Sequence, residues 1–220
     1  MKEGIKRELI IQVTKYRIGL RVLSKCLRLK RKHVDGYQNP PKIEKLLHID
    51  PKSVNWISDV KFDKYVDMGK VVGGTWDKEL ISIMESPKIS AVHLHFENDK
   101  PWEETGVYDH MLNKIGSRGE FDACSTIEDV KTRYEEIDSL YKSIRENGYN
   151  VKMINHPLDH ICVNIGRDGK FIFAGGGTHR LAIAQCLELE SIPVRVIVRH
   201  KMWQEKNKPG PSYPTQTDNE

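Results

Sequence analysis

The chain has 220 residues, 38% of them hydrophobic and 30% charged, which is typical of a soluble domain with a sizeable core and some additional segments. No stretch approaches the roughly 20 consecutive apolar residues of a membrane span, and the charged N-terminus is not expected to be a secretory signal. Four widely spaced cysteines without a CxxC pair argue against a zinc knuckle or a disulfide framework and favour reduced thiols in the cytoplasm.

The net charge of +4 conceals an uneven distribution along the chain. Residues 1–33 contain eleven Lys or Arg and two Glu, a net charge of +9, whereas residues 34–220 contain 24 basic and 29 acidic residues, a net charge of −5. A uniformly basic nucleic-acid binder is therefore not expected, because phosphate contacts supply most nonspecific affinity. The pattern describes a mildly acidic domain with a basic N-terminal arm.

This arm, residues 1–35, is predicted to be one amphipathic helix. Its apolar residues recur at intervals of three and four, namely Ile5, Leu9, Val13, Tyr16, Leu20, Leu23 and Leu27. The basic side chains fall mostly at the other positions, which suits docking on an anionic membrane surface, docking on a protein partner or contact with nucleic acid. Packing of the apolar face on the domain, with Lys and Arg in solvent, is the simpler alternative.

Residues 36–120 are predicted to be a mixed α/β extension of uncertain fold. The turn-forming sequence GYQNPP at 36–41 indicates a linker. Residues 70–77 fit a short strand ending in a bend, and residues 78–85 fit a short helix. The alternation in 91–96 is typical of a strand, although a helix continuing through the following residues fits equally well.

Residues 121–202 carry stronger signals and predict an α+β core with a small mixed sheet. Ser125 and Glu128 form a capping box at the start of a helix, and the Asp-Gly pair at 168–169 predicts a hairpin. In chain order the core contains that helix to about 147, strands at 161–165 and 170–173, a glycine loop, a helix to about 188 and a strand at 194–198. Residues 203–220 are predicted to be a mobile polar tail.

The glycine loop lies within FIFAGGGTHRLAIAQ, residues 171–185, and is the strongest candidate site. Bare glycine backbone can approach a ligand closely, and the free amides at the start of the next helix favour an anion, most often phosphate. Thr178 can cap the helix or hold a phosphate oxygen, His179 can donate to phosphate or exchange a proton, and Arg180 can clamp phosphate oxygens. The predicted phosphate-binding residues are Gly175, Gly176, Gly177, Thr178, His179 and Arg180. A tight strand-to-helix turn capped by Thr178 is the alternative.

The stretches LYKSIRENGYN and ICVNIGRDGKFIFAGGGTHRLAIAQCLELESIPVRVIV resemble the core of the ParB and sulfiredoxin superfamily. The matching positions are Ser143-Ile144 with Gly148, Gly177-Thr178-His179-Arg180, and Ile192-Pro193-Val194. Several uncharacterised proteins with VNIGRDG and GxHRLAIA runs look more similar still. The resemblance covers about residues 125–200 and implies a ParB/sulfiredoxin-like fold. It also implies a nucleotide phosphate, from ATP or CTP with Mg²⁺, on the loop at Gly177, His179 and Arg180.

The chain departs from this superfamily at the position that decides its two best-known activities. Sulfiredoxins have a catalytic Cys where Thr178 stands, so repair of a sulfinic acid is not expected. Partitioning proteins have Glu-Arg where this chain has Thr178-His179, and they carry a helix-turn-helix module after the core. Sequence-specific nucleic acid is therefore not an expected partner.

Outside the loop, candidate residues lie on the last strand and on the long helix of the core. Arg195, Arg199 and His200 can either support the glycine loop with positive charge or be solvated edge charges. Asp138 borders the apolar face of its helix, so it is either a rim residue or a carboxylate that orients Mg²⁺ or deprotonates a hydroxyl. Its neighbour Arg133 is expected to be a surface ion, and no metal-binding set is expected among the histidines.

Three functions remain open. The first is an NTP-dependent phosphotransferase acting on a small hydroxylated acceptor, with His179 and Asp138 as catalytic candidates. The second is a non-catalytic CTP- or ATP-binding switch that gates docking of residues 1–33 on an anionic membrane surface or a protein partner. The third, a DNA-binding or nuclease-like protein, is disfavoured by the acidic remainder of the chain. The expected location is the cytoplasm, with peripheral attachment at the inner membrane surface.

Overall fold

A computed structural model describes residues 3–15, 17–33, 42–150, 154, 156 and 158–207 of the chain. Seven α-helices occur in these ranges: α1 (Glu3–Thr14), α2 (Arg17–His33), α3 (Pro87–Asn98), α4 (Val107–Arg118), α5 (Ile127–Asn147), α6 (Thr178–Cys186) and α7 (Lys201–Lys206). Seven strands occur there as well: β1 (Leu47–Ile49), β2 (Val54–Ser58), β3 (Lys70–Val72), β4 (Leu80–Ser82), β5 (Ile161–Ile165), β6 (Phe171–Phe173) and β7 (Ile192–His200). The predicted α+β class is confirmed.

All seven of these strands belong to one mixed sheet. Its order is β1-β7-β5-β6-β2-β4, and β3 also pairs with β7, at the end of that strand away from β1. Strands β5 and β6 form the predicted antiparallel hairpin, whose turn is closed by the amide of Gly166 donating to the carbonyl of Lys170 at 3.0 Å. Strands β1 to β4, from the extension of uncertain fold, therefore complete the same sheet as the C-terminal core.

The sheet is covered on both faces. The alternation of a strand sends Ile161 and Val163 of β5 into the main core, which lies between the sheet and helices α3 to α6. Cys162, between them, points into a second cluster that also contains Trp76, Ile172, Ile197 and Val198. Full burial of one such apolar side chain contributes about 1.5–3 kcal/mol, so both layers stabilise the central strands.

The basic arm forms two helices, α1 and α2, instead of one. They approach each other closely at Gly19, where a Cβ would clash with the carbonyl oxygen of Val13. One face of α2 packs on the domain, in a cluster of Leu20, Leu23 and Leu27 with Ile43, Met68 and Leu158. Other apolar side chains of the two helices are exposed, namely Ile5, Leu9, Val13, Ile18, Val22 and Leu29. Within the described ranges, no helix is long and apolar enough to cross a membrane.

The structure shows the secondary structure of two segments before the core that the sequence left ambiguous. Residues 78–85 form strand β4 and a short 3-10 helix, Ile83–Glu85, so the predicted helix there is wrong. Pairing of Ile81 with Ile57 of β2 overrides the local helical pattern. Residues 91–96 belong to α3, which settles the choice between strand and helix in favour of the helix.

The cap of α5 lies one residue later than the sequence predicts. Thr126 accepts a hydrogen bond from the amide of Asp129 at 3.1 Å, and the Asp129 carboxylate accepts one from the amide of Thr126 at 2.9 Å. This is the same capping-box chemistry as predicted for Ser125 and Glu128. A tight turn bridged by Phe121 and Cys124 precedes it.

The two ends of the predicted domain organisation are described only in part. The predicted linker at 36–41 lies outside the described residues. Of the predicted tail, 203–206 belong to α7 and the part beyond 207 also lies outside them.

Candidate anion-binding site

The glycine loop connects β6 to α6 with three consecutive residues in the left-handed backbone region. Gly175, Gly176 and Gly177 have φ values of 77°, 70° and 68°, which side-chain-bearing residues adopt only at a cost. A Cβ on Gly177 would lie 2.8 Å from Cγ1 of Ile161, and one on Gly176 would lie 3.1 Å from Sγ of Cys162. The loop packs on the start of β5. This packing explains why residues 176 and 177 are glycines, independently of any ligand.

The same loop presents amide groups that have no acceptor among the described residues. Ala174 donates to the carbonyl of Cys162 at 2.9 Å and so extends the β5–β6 ladder. In the part of the chain that the structure describes, the amides of residues 175–178 donate no hydrogen bond. Helix α6 begins at Thr178 without a side-chain cap, so the predicted capping role of Thr178 is wrong. The amides and the positive end of α6 are therefore free for an anion.

A pocket of about 290 Å³ lies at the first turn of α6. Its lining includes two arginines, a carboxylate and an amide side chain: Arg133, Arg180, Asp159 and Asn150. Arg180 donates from Nη2 to the backbone carbonyl of Asp159 at 2.5 Å, which holds its guanidinium at the wall and leaves further N–H donors. The glycines do not line this pocket, so Arg180 is the link between the loop and the cavity.

Arg133 reaches the pocket from α5. Its Nη2 lies 4.0 Å from Oδ2 of Asp122, and its Nη1 lies 3.4 Å from Oε2 of Glu136. Its Nε is buried and has no hydrogen-bond partner among the described residues. An unsatisfied buried donor costs about 1–3 kcal/mol, which an oxygen of an anionic ligand would recover. The Arg133 side chain is 38% exposed and paired with carboxylates, as expected of a surface ion, and it also lines the pocket.

Asp122 organises further positive charge beside Arg133. Asp122 and Ala123 adopt left-handed backbone conformations, with φ values of 56° and 60°, in the turn before α5. Oδ2 of Asp122 lies 2.7 Å from Nζ of Lys88 on α3. Burial alone would raise the pKa of the Asp122 carboxyl, but Lys88 and Arg133 hold this pKa below its usual value. Asp122 thus contacts both Lys88 and Arg133, and Arg133 has Glu136 as a second carboxylate partner.

His179 is buried behind the loop and is neutral at physiological pH. Only 8% of the residue is exposed, and its ring meets that of Tyr134 edge to face at 5.8 Å. Burial, reinforced by the positive charge of Lys88, lowers the pKa of His179 to about 3. A cationic contact of His179 with phosphate does not fit this environment. Its Nε2 has no hydrogen-bond partner among the described residues.

Asp138 occupies a packing contact away from the pocket lining. Trp102 donates from Nε1 to Oδ1 of Asp138 at 3.1 Å, and Nε2 of His95 lies 3.1 Å from the same oxygen. The rings of His95 and Trp102 stack at 3.9 Å. Arg180 and Arg133 therefore line the same pocket. Asp138 instead contacts His95 of α3 and Trp102 of the turn that follows α3.

The three basic residues of β7 are buried, which excludes the solvated-edge alternative. Arg195 is 2% exposed and donates to the carbonyl of Ile43, and burial lowers the pKa of Arg195 to about 10. The guanidinium of Arg199 lies 5.7 Å from the ring centre of Trp203. None of Arg195, Arg199 and His200 lines the pocket beside α6.

His200 belongs to a buried polar cluster, built around the ion pair of Arg167 with Asp77, that ties the hairpin turn to the segment after β3. Arg167, in the turn between β5 and β6, holds the Asp77 carboxylate through Nε at 3.0 Å and Nη2 at 2.6 Å. Nε2 of His200 lies 3.7 Å from Oδ1 of Asp77 and 3.1 Å from the carbonyl of Gly74. Burial acts in the opposite direction, but Arg167 keeps the pKa of Asp77 below its usual value. Arg167 thus has a structural role in the VNIGRDG sequence, because its contacts attach the hairpin turn to the segment after β3.

Three of the polar residues that line the pocket were not predicted as site residues from the sequence, namely Arg133, Asn150 and Asp159. Arg133 lies three residues after Val130 and four before Ile137, both buried, so the helical period places it at the edge of the apolar face. This place at the edge of the apolar face of α5 is the sequence signal that could have identified Arg133. Asp159 precedes β5 by two residues and belongs to no local pattern, so only the tertiary structure reveals it.

Comparison of the chain with protein-family models, with curated proteins and with solved structures finds no match. The fold itself defines the class: a mixed α+β protein with one seven-stranded sheet over the described residues. Its candidate site is a two-arginine pocket at a helix N-terminus.

Proposed function

We propose that the chain binds a nucleoside triphosphate through Arg133 and Arg180 and transfers the terminal phosphoryl group to a small hydroxylated acceptor. The observation that carries this proposal is the pair of arginines in one pocket, one of which, Arg180, belongs to the first turn of α6. The resemblance of about residues 125–200 to the ParB and sulfiredoxin superfamily supports a nucleotide as the source of the phosphate and belongs to the same proposal.

The chemistry of the lining favours phosphate oxygens. A guanidinium presents a planar fork of N–H donors that matches two phosphate oxygens at once, and the buried Nε of Arg133 lacks any other acceptor in the described chain. Ligand pockets usually measure about 300–1,000 Å³, so a cavity of about 290 Å³ suits the phosphates and leaves the base outside. ATP, CTP and GTP should therefore bind with similar affinity.

Asp159 is the pocket carboxylate that can serve the transfer step in place of Asp138. Burial works against ionisation, but Nζ of Lys64 at 2.9 Å keeps the pKa of Asp159 below its usual value. The acceptor oxygen attacks the terminal phosphorus, and the bond to the bridging oxygen breaks with its electrons leaving on the diphosphate. Asp159 orients the hydroxyl and takes its proton, while Arg133 and Arg180 stabilise the transferring group.

Asp159 and Asn150 also provide oxygen donors that fit Mg²⁺, which is usually held by one or two carboxylates, phosphates and water. Bound Mg²⁺ would neutralise negative charge on the phosphates. These two residues would hold it, and the arginines would remain free for the phosphate oxygens.

Thermal unfolding with ATP, ADP, CTP and GTP, each with and without Mg²⁺, tests the binding step. A ligand at 100 times its Kd stabilises the folded state by about 2.7 kcal/mol, which raises Tm by about 5–10 °C for a chain of this size. Arg133→Met and Arg180→Met should each abolish this increase. Arg145→Met, an exposed position on the same helix as Arg133, is the matched control and should retain it.

The proposal is wrong if no nucleotide raises Tm, or if the control loses the increase as fully as the pocket variants. Turnover is tested separately with γ-labelled ATP and a metabolite extract. Label should move to small molecules with the wild type and fail to move with Asp159→Asn, while nucleotide binding by that variant persists.

A second candidate function, a nucleotide-binding switch that docks on an anionic membrane surface, is favoured by the exposed faces of α1 and α2. Their exposed apolar side chains include Ile18 at 74% and Val22 at 55%, and residues 1–33 carry a net charge of +9. Each Lys or Arg near an anionic bilayer contributes about 1 kcal/mol. Charge complementarity thus selects anionic lipid as the occupant of this surface.

A short chain of contacts joins this surface to the pocket. Asp159 pairs with Lys64, whose ammonium lies 5.0 Å from the ring centre of Tyr65. Arg7 of α1 lies over the same ring, also at 5.0 Å, and its Nε lies 3.3 Å from Oδ2 of Asp63. A ligand that rearranges Asp159 can therefore alter how α1 is held.

Vesicle flotation distinguishes the switch from the enzyme. The chain should float with phosphatidylserine vesicles and not with phosphatidylcholine vesicles, and nucleotide should change the bound fraction. Ile18→Asp with Val22→Asp should abolish flotation, whereas Leu112→Asp, an exposed control on α4, should not. Equal binding to neutral vesicles, or phosphoryl transfer in the turnover assay, contradicts the non-catalytic switch.

A further inference from the structure

A second polar cluster lies at the C-terminal end of α6, where this helix meets α3. His93 and Glu97 are four residues apart on α3, and Cys186 is the last residue of α6. Nδ1 of His93 lies 3.0 Å from Oε1 of Glu97 and 3.6 Å from Sγ of Cys186. All three ligand atoms lie within 4.8 Å of one another, so three different metal-ligating groups converge on one point between two helices.

Gln185 fixes the orientation and the tautomer of His93. The Gln185 amide nitrogen donates to the carbonyls of Pro51 and Val54, both at 3.0 Å, so its Oε1 must be the atom that lies 3.4 Å from Nε2 of His93. An oxygen acceptor there places a proton on Nε2. In the neutral ring, Nδ1 then carries its lone pair toward the carboxylate and the thiol.

A lone pair and a carboxylate oxygen only 3.0 Å apart repel each other unless a positive centre lies between them. A metal ion removes this repulsion, and metal-bound histidines usually donate their other N–H to an oxygen, as His93 does to Gln185. With Zn–N and Zn–O near 2.0 Å and Zn–S near 2.3 Å, tetrahedral Zn²⁺ separates N from O by about 3.3 Å and N from S by about 3.5 Å. The observed distances of 3.0 and 3.6 Å are close to both values.

We propose that Nδ1 of His93, Oε1 of Glu97 and Sγ of Cys186 form a Zn²⁺ site that links α3 to α6. Zinc accepts mixed nitrogen, oxygen and sulfur ligands. The Cys186 sulfur binds as thiolate and releases its proton to solvent, as metal binding to a thiol requires. The Glu97 side chain is 48% exposed, which gives the ion a path from solvent and leaves a fourth position for water.

This site is independent of the proposed nucleotide pocket and uses none of its residues. The test uses the full chain without nucleotide, with Co²⁺ as a spectroscopic substitute for Zn²⁺. One equivalent of Co²⁺ should produce visible d–d bands of tetrahedral geometry and a near-ultraviolet sulfur-to-cobalt band, and Zn²⁺ should displace both. Cys186→Ser should remove the sulfur band, whereas Cys26→Ser, an exposed control on α2, should leave it unchanged.

Glu97→Gln provides the second variant, because its partly exposed side chain can be changed with little risk to folding. Loss of one of three ligands should weaken Zn²⁺ binding by at least the roughly 10–100-fold that loss of a supporting residue causes. Absence of the sulfur band in the wild type overturns the proposal, and so does its persistence in Cys186→Ser. If Cys186→Ser does not fold, unchanged Zn²⁺ affinity in Glu97→Gln overturns it, and the cluster is then a simple ion pair of protonated His93 with Glu97.

Discussion

Alanine substitutions in the glycine loop separate the cost of its backbone conformation from the cost of its packing. Gly175 and Gly177 have similar positive φ values, 77° and 68°. A Cβ on Gly175 would meet no atom within 4 Å, whereas one on Gly177 would lie 2.8 Å from Cγ1 and 3.1 Å from Cα of Ile161. The two substitutions therefore share the backbone term and differ only in the packing term.

The magnitudes follow from these two terms. A left-handed conformation costs an alanine about 1–2 kcal/mol, and the smaller entropy of its unfolded chain returns about 0.4–1 kcal/mol. Gly175→Ala should therefore lower the free energy of unfolding by about 1 kcal/mol. Gly177→Ala should add an overpacking cost of about 1–3 kcal/mol, because the Cα of Ile161 belongs to the central strand β5 and cannot yield. The expected total is about 2–4 kcal/mol.

Urea unfolding at 25 °C, followed by circular dichroism, measures both variants. The slope of the free energy with urea should match that of the wild type, so that the shift in midpoint reports stability directly. Equal destabilisation by the two substitutions would refute the packing argument. A larger effect at Gly175 would show that the loop is held by something other than its contact with Ile161.

Two further predictions concern His179 and the cap of α5. The unfolded chain protonates His179 near pH 6.5 and the folded chain only near pH 3, so stability should fall as the pH drops between these values, by up to about 1.4 kcal/mol per pH unit. His179→Gln should remove that part of the slope in urea unfolding series at several pH values, and an unchanged slope contradicts the buried neutral ring. Thr126→Ala should destabilise the protein by about 1 kcal/mol, measured in the same way, whereas Ser125→Ala should have almost no effect. A larger destabilisation by Ser125→Ala than by Thr126→Ala would show that the cap is Ser125, as expected from the sequence.

Local signals account for the parts of the fold that could be predicted. The Asp-Gly turn, the period of α5 and the apolar run of β7 each depend on neighbours within a few residues, and each corresponds to a structural element. The position of the α5 cap was displaced by only one residue, since Thr and Asp supply the same chemistry as Ser and Glu. Segment 78–85 could not be predicted from its own residues, because pairing with β2 decides its conformation.

The candidate sites depend on residues that are distant in sequence. The glycine loop and Arg180 were recognisable, because glycines followed by a helix start are a local pattern. The cavity beside them requires Arg133, which α5 brings to Arg180, and Asp159, which precedes β5 and contacts Arg180 through its backbone carbonyl. His93 and Cys186 are separated even further along the chain, and no spacing rule connects them.

The two candidate sites lie at opposite ends of α6 for a physical reason. Residues 181–184 are fully buried, so only the ends of this helix are open to ligands. Nine residues rise about 13 Å, and so short a helix is marginal by itself in water. An anion at Arg180 would lie at the positive end of the helix dipole, and a cation at Cys186 would lie at the negative end. Each interaction would stabilise the helix by about 0.3–1 kcal/mol. The charges of the two proposed ligands thus match the positive N-terminal end and the negative C-terminal end of the helix dipole, which the reverse assignment would not.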